Sequence, residues 1–458
     1  MRGLDGDRLD SFAVDQDGSG GAVRIERGGQ AAKAAYWARR ANPQIAPVIS
    51  ELSDLTLRPD ALAFYMATMA QGPVEQRVVS ETLFENVRKA PAGLTTIVET
   101  TGEAKLFPRA PAPLEPGLSE ATMARRLKAA LLDTARDVLA GRSTVWLEAS
   151  GGIDSTLMGA LARRVLPAGS RINTLSILYP YYEFRRERRF INIAVAALSG
   201  TPTFLDGARC LSFSDLDAGG ALSEPSLVMA GLAQHRAMFA AINEPDALLL
   251  TGNGGDNLFA LGPDRQPRFT SKLAQHDWMS NAFATTLAAH FERLRDHYAK
   301  HAWANDEAFQ SGSDLDDRWT EREITSRLGI HRTHLFLTPD ILSLISGLWR
   351  QCPTPAQGKW ILVRYFEDLI PSEILHRTGK VAYNGLYARA YRAASRNLVA
   401  MVNRHRDHLD SMGVSANGLA LHIDRLRDGK LEGDLEVSTV VTYLMWLEGW
   451  ARSGRPLI

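Results

Sequence analysis

Two short stretches carry the residue types for chemistry on phosphate. The first reads Ser150-Gly151-Gly152-Ile153-Asp154-Ser155, between an apolar run and a helix-like run. The second reads Thr251-Gly252-Asn253-Gly254-Gly255-Asp256 and also follows an apolar run. Glycines let a backbone curl close to an anion, and a helix N-terminus offers free N–H groups and a partial positive charge. Ser150 and Ser155 add hydroxyl donors. An acid inside such a cradle would repel a bare phosphate. Asp154 and Asp256 make sense there as ligands of a Mg²⁺ ion that bridges to the phosphates. An ordinary glycine turn with a capping Ser or Asp would use the same letters. The strand–SGGxDS–helix setting favours pyrophosphate, and the second stretch gains weight from being paired with the first.

The elements that must position these loops follow from hydrophobic spacing. Ser119 can cap a helix in which Met123, Leu127, Leu131, Ala135 and Val138 recur at helical intervals. Ser143–Ala149 is a short buried strand, and Ser155–Val165 a helix after the first glycine loop. Ile172–Leu178, Thr201–Asp206 and Asp246–Gly252 are further strands, separated by helices over Phe184–Leu198 and Leu227–Ile242. Strands alternating with helices predict a parallel, doubly wound α/β sheet. Ligand loops gather at the carboxyl ends of such strands. From about Ser280 the pattern is mostly helical.

Three segments are expected. Residues 1–31 are polar and Gly-rich and read as a flexible N-terminal segment. Residues 32–117 mix short β-like runs (Ala46–Ile49, Leu94–Glu99) with one helix, Pro59–Ala70, and end in Phe107–Gly117, whose four prolines make it the best linker. Residues 118–458 hold the two loops.

Together the loops resemble the synthetase domain of the asparagine synthetase superfamily, whose first loop is the pyrophosphate loop of the N-type ATP pyrophosphatases. In that family the loop grips the β,γ-pyrophosphate that leaves when a carboxyl group is adenylated. Attack falls on the α-phosphate, so the Lys of the commonest phosphate loop is not needed. "LRPDALAFYMA" and "TLFENVRKAPAGL" (Thr82–Leu94) resemble the end of the family's glutaminase-like domain, and "SEPS" (Ser223–Ser226) precedes the helix before the second loop, as it does there. "KWILVRYFEDLIPSEILHRTGK" (Lys359–Lys380) resembles its K-x-x-L-R … L-P-x-x-I-x-x-R-x-x-K segment. The resemblance runs over about Pro43–Tyr391. It implies an adenine nucleotide alpha hydrolase-like sheet with a helical C-terminal part, plus a small degenerate glutaminase-like α+β domain. It implies ATP and Mg²⁺ as cofactors. Ser150, Gly151, Gly152, Asp154, Ser155, Ser176, Gly252, Gly254 and Gly255 would bind nucleotide, and Asp154 and Asp256 would hold the metal. Lys380, Asp154 and Asp256 would be catalytic, with Lys380 near the α-phosphate and the acyl centre.

Within the superfamily, glutamine-dependent members use a mature N-terminal Cys. Here the sequence starts Met1-Arg2 and the first Cys is Cys210, so glutamine hydrolysis is not expected. β-Lactam synthetases and lasso-peptide macrocyclases share that feature. "GGDNLF" and "GKVAYNGLYARAYR" look most like the macrocyclases. Asn253 stands where asparagine synthetases carry Glu and β-lactam synthetases Tyr, and Asn cannot act as a base. The resemblance therefore points to a peptide macrocyclase. Its substrate would be a precursor peptide, and its partners a leader-binding protein and a leader peptidase. A small-molecule amide ligase, a tRNA-modifying pyrophosphatase and a non-catalytic peptide- or nucleotide-binding partner are the alternatives.

Other residues carry less. Lys359 reads equally as a site residue or a helix-surface lysine. "EFRRERR" (Glu183–Arg189) reads as a solvated charged face. Tyr383, Tyr387 and Tyr391 recur at i, i+4, i+8 and fit either a packed face or a pocket wall. The pairs His297/His301, His331/His334 and His405/His408 lack acids at known zinc spacing. Lys plus Arg and Asp plus Glu both number 52, which gives no long-range pull toward nucleic acid or an anionic membrane. Two cysteines, Cys210 and Cys352, cannot build a disulfide framework. The N-terminus lacks the apolar core of a signal peptide, and no apolar run is long enough to span a bilayer. A cytoplasmic protein with no nucleic-acid or membrane partner is expected.

Overall fold

A computed structural model of the chain describes residues 13–16, 22–26, 35–70, 80–91, 94–108, 117–181, 184–217, 220–259, 275–300, 314–338, 340–342, 344–345, 359–379, 384–455 and 457. The chain opens with strands. β1 (Ala13–Gln16) and β2 (Val23–Glu26) pair antiparallel. β3 (Tyr36–Ala38), β4 (Ile45–Ala46) and β5 (Val87–Lys89) form a three-stranded antiparallel sheet. β6 (Leu94–Val98) and β7 (Ala104–Pro108) complete the first sheet, in the order β1-β2-β6-β7. The expected flexible segment 1–31 therefore contributes two strands. Within "VRIE" of β2, Ile25 is fully buried, and a paired neighbour rather than local composition fixes the strand.

Between β4 and β5 in the sequence comes α1 (Ala61–Ala70). Its residues 61–68 are all buried, as expected for a helix apolar on every side. The chain continues through α2 (Glu120–Val138), β8 (Thr144–Glu148), α3 (Ile153–Val165), β9 (Arg171–Leu178), α4 (Glu187–Ala197), β10 (Thr201–Asp206), α5 (Leu232–Ile242), β11 (Ala247–Leu250) and α6 (Gly255–Phe259). It then runs through α7 (Asn281–Lys300), α8 (Asp314–Ser326), β12 (Ile330–Thr333), α9 (Trp360–Tyr365), α10 (Ser372–Leu375), α11 (Asn384–Arg404), α12 (Arg406–Ser411), α13 (Ala416–Arg427) and α14 (Asp434–Arg452).

β8 to β12 make a five-stranded parallel sheet in the order β10-β9-β8-β11-β12. Both faces are covered, and the strands alternate between them. Val145 and Leu147 of β8 and Leu248 and Leu250 of β11 share a core with Leu127 and Leu131 of α2 and Leu157 and Leu161 of α3. Trp146 and Leu249 point the other way, onto Met238, Phe239 and Ile242 of α5. Strand order reverses between β8 and β11, the two strands that precede the glycine loops.

Most of the sheet matches its sequence expectation, with three differences. β12 lies in a stretch expected to be helical; its pairing with β11, a long-range contact, decides it. The expected helix Leu227–Ile242 is a 3-10 turn, Leu227–Gly231, followed by α5, with Ser226 capping the turn and Gly231 marking the break. The prolines of Phe107–Gly117 begin inside β7. Within the first part of the chain Ala35, Trp37, Ala90 and Val98 form a small core with Ile25 of β2, while other residues of the segment 32–117 pack into a larger one. Tyr36, Phe64 and Phe84 share one with Leu287 of α7 and Trp446 and Trp450 of α14. No helix among the described residues is long and apolar enough to cross a membrane.

Candidate active site

The first loop joins β8 to α3. Gly151 has φ +69° and packs so closely on α4 that a Cβ would stand 2.5 Å from Ile191 N. Only glycine fits there. Gly152 is the N-cap of α3, and no side chain caps that helix, so its first N–H groups are left to face an anion. Ser150 and Ser155 brace the turn. Ser150 N donates to Ser155 Oγ at 3.2 Å, the two hydroxyls are 3.0 Å apart, and Gly152 N donates to Ser150 Oγ at 3.3 Å.

The second loop joins β11 to α6 and lies against the first. A Cβ on Gly252 would stand 2.6 Å from Ser155 N, and one on Gly255 would overlap the Asp154 carboxylate. These two glycines exist to let the loops touch. Gly254, at φ +90°, packs on Leu337, where a Cβ would stand 2.6 Å from the side chain. The interlock puts Asp154 and Asp256 on one cation. That cation is the Lys359 ammonium, which contacts Asp154 Oδ2 and lies 2.7 Å from Asp256 Oδ1. Lys359 is 13% exposed at its side chain and Asp154 14%, whereas Asp256, at 56%, opens to solvent. Sequence reasoning left Lys359 undecided; the structure places it in the site. Two hard carboxylate oxygens converging on one positive charge suit a Mg²⁺ ion held by one or two carboxylates plus substrate phosphates.

Arg377 is a site residue that the sequence reading passed over, although it stands in the quoted R-x-x-K segment. Its Nη1 donates to Gly151 O at 3.3 Å, its Nη2 pairs with Glu187, and its guanidinium lies 4.4 Å from the centre of the Phe190 ring. It clamps the glycine loop to α4. Glu187 is thus a partly buried partner, while Arg185, Arg186, Arg188 and Arg189 are exposed, as the solvated charged face expected there requires. Ser176 is buried, and its hydroxyl donates to Ala149 O at 2.6 Å. It braces the strand end and reaches the ligand space only as a wall. Lys380, Glu183 and Tyr383 lie outside the described residues, as do Cys352 and His301; of His297 only the helical backbone is described.

Beside the first loop, at the carboxyl ends of β8 and β9, is a cavity of about 290 Å³. Leu175, Ile177, Phe184 and Met238 line it, with Glu148 and Ser150 as polar walls. Tyr387, 44% exposed, stands in its wall, while Tyr391 is fully buried against Phe213. One tyrosine is a pocket wall and the other core packing. Arg389 lies 4.0 Å over the Tyr181 ring.

Under the second loop runs a buried ionic chain. Arg332, 6% exposed, lies between Glu148 Oε2 at 2.5 Å and Glu321 Oε1. Glu321, 4% exposed, has His334 Nε2 and His235 Nε2 each at 3.8 Å. His334 Nδ1 shares a 2.5 Å hydrogen bond with Thr251 Oγ1, which accepts from Asn253 N at 3.2 Å. The chain ties the cavity wall to the start of the second loop. Its partner His331 is exposed on the other face of β12.

Facing glycine loops at the reversal point of a doubly wound sheet, beside a cavity of mixed polar and apolar lining, are the arrangement of a nucleotide-using α/β fold. Residues 126–343 match the family model for asparagine synthase. The match supports the asparagine synthetase superfamily and, in general, an ATP-dependent amide ligase. Comparison with curated proteins finds none that matches. Both loops lie inside the matched segment; Lys359 and Arg377 lie beyond it.

Proposed function

We propose that the protein is an ATP- and Mg²⁺-dependent peptide macrocyclase. The observation that carries the ligase reading is the convergence of Asp154 and Asp256 from two interlocked loops beside a cavity of nucleoside size. In this reading an Asp or Glu side chain of a precursor peptide attacks the α-phosphate of ATP. The bond from the α-phosphorus to the bridging oxygen breaks, and pyrophosphate leaves through the first loop. The N-terminal amine of the same peptide then attacks the acyl carbon. AMP leaves, an isopeptide ring closes, and the peptide has lost one water. Mg²⁺, when bound, would neutralise the phosphates and hold them against Asp154 and Asp256.

The chain's own residues have distinct tasks. The first turn of α3 and the hydroxyls of Ser150 and Ser155 receive pyrophosphate. Arg377 keeps the loop in shape. The cavity beside the first loop takes the nucleoside and, once filled, keeps water from hydrolysing the adenylate. Asn253 supplies no base at the position where the small-molecule ligases carry Glu or Tyr, which favours the peptide reading. Exposed Tyr387 in the cavity wall, with the partly buried Tyr181 and Arg389 pair, offers a surface for a chain rather than for a small acid. A leader-binding protein and a leader peptidase are the partners this reading calls for.

Lys380 supplies the test. As a charge stabiliser at the acyl centre it should act on rate more than on binding. Lys380→Met is expected to bind ATP with near-normal affinity by calorimetry. Cyclised peptide should fall by a factor of about 10²–10³, or roughly 3–4 kcal/mol. Product is read by mass spectrometry as loss of one water, with AMP and pyrophosphate as the nucleotide products. ADP as product, or cyclisation by Lys380→Met at the parent rate, overturns the assignment.

A further inference from the structure

We propose that Lys359 is an internal counter-cation that makes divalent-ion binding conditional on a polyphosphate; this rests on the reading that the two loops take ATP. The ammonium occupies the point where the carboxylates of Asp154 and Asp256 converge. Its backbone cannot drift away. Lys359 N donates to Phe259 O at 2.7 Å, at the end of the helix whose first turn carries Asp256. Lys359 also holds φ +59° and ψ 23° at the N-cap of α9. A non-glycine residue stays in that left-handed region only where its surroundings fix it. What remains movable is the side chain.

The electrostatics give the consequence. Two carboxylates, one of them 14% exposed, share one ammonium. A free divalent ion must displace that ammonium from at least one carboxylate and then sit beside it, and like charges at such range repel strongly where water is scarce. A polyphosphate on the first loop changes the balance. Its oxygens accept the displaced ammonium, and its charge offsets the added cation. The site therefore refuses the bare ion and admits it together with the nucleotide, with Lys359 turning from aspartate to phosphate. The two glycines that bring Asp154 against the second loop make this exchange local.

The test uses Mn²⁺ as the probe ion, with bound and free ion separated by electron paramagnetic resonance. The ligand is α,β-methylene-ATP, which cannot be cleaved at the α–β bond. The parent protein should bind Mn²⁺ weakly alone and at least about tenfold more tightly with the analogue. Lys359→Met should bind Mn²⁺ without nucleotide at least about tenfold more tightly than the parent, and should bind pyrophosphate more weakly. Lys359→Arg, which keeps the charge, should still refuse the bare ion; this second variant separates charge from loss of structure. Bare Mn²⁺ affinity in Lys359→Met no higher than in the parent overturns the counter-cation. If that affinity rises but no form binds the analogue, the counter-cation stands and the ATP reading falls.

Discussion

Asp154→Asn is expected to remove most ligase activity while leaving the fold in place. The substitution keeps the shape of a side chain that is 14% exposed and deletes only its charge. Losing one preorganised electrostatic group at a reacting centre typically costs about 10²–10³ in rate. AMP formation with a carboxylate substrate should fall by at least that factor. Mg·ATP affinity, which needs no peptide, should fall by about tenfold or more. Gly255→Ala separates charge from geometry. It leaves Asp154 ionised but places a methyl group against its carboxylate, so the loops must part. The same loss of nucleotide affinity is expected. Far-UV circular dichroism of both variants should match the parent. If both variants bind Mg·ATP and release AMP as the parent does, the facing loops are not the site.

Arg332→Met should be the most destabilising single change at a buried charge. The guanidinium is 6% exposed and holds Glu148 and Glu321 together from two different elements. Met fills part of the stem's volume but leaves both carboxylates without their guanidinium partner. Breaking a buried pair in this way costs about 3–5 kcal/mol, because a charge stays behind without compensation. The midpoint of urea unfolding should drop accordingly. Adding Glu321→Gln should recover part of the loss, since the deeper of the two abandoned charges is then gone. Mg·ATP affinity should also fall, because Glu321 stands beside His334, which holds Thr251 at the start of the second loop. An unchanged unfolding midpoint in Arg332→Met would show that the ionic chain carries no stability.

The sequence by itself determined the parts whose information is local. Each glycine loop is a strand, a turn and a helix start within about a dozen residues. Periodicity and backbone sterics fix such a unit wherever the rest of the chain goes. That is why β8, α3, β9, β10 and β11, and the glycine turn at Gly151 and Gly152, are legible in the sequence. The apolar letters of α1 also announced burial, though not against what.

Tertiary structure decided what lies between distant segments. Lys359 and Asp154 stand 205 positions apart, and Arg332 and Glu148 stand 184 apart. No spacing rule links them, because a charge finds its partner through the order of strands in the sheet, and that order is set by packing of both faces. β12 became a strand because β11 offered an open edge. β1 and β2 became strands in the same way, through the pairing of β2 with β6. Within the segment 32–117, Ala35, Trp37, Ala90 and Val98 keep a small core of their own with Ile25, but α1 shares its core with α7 and α14 because it is apolar on every side and cannot be covered by its own neighbours. Gly255 shows the division within one residue. Its letter marks a turn in the sequence, while the reason it must be glycine is the carboxylate of Asp154, which only the folded sheet brings against it.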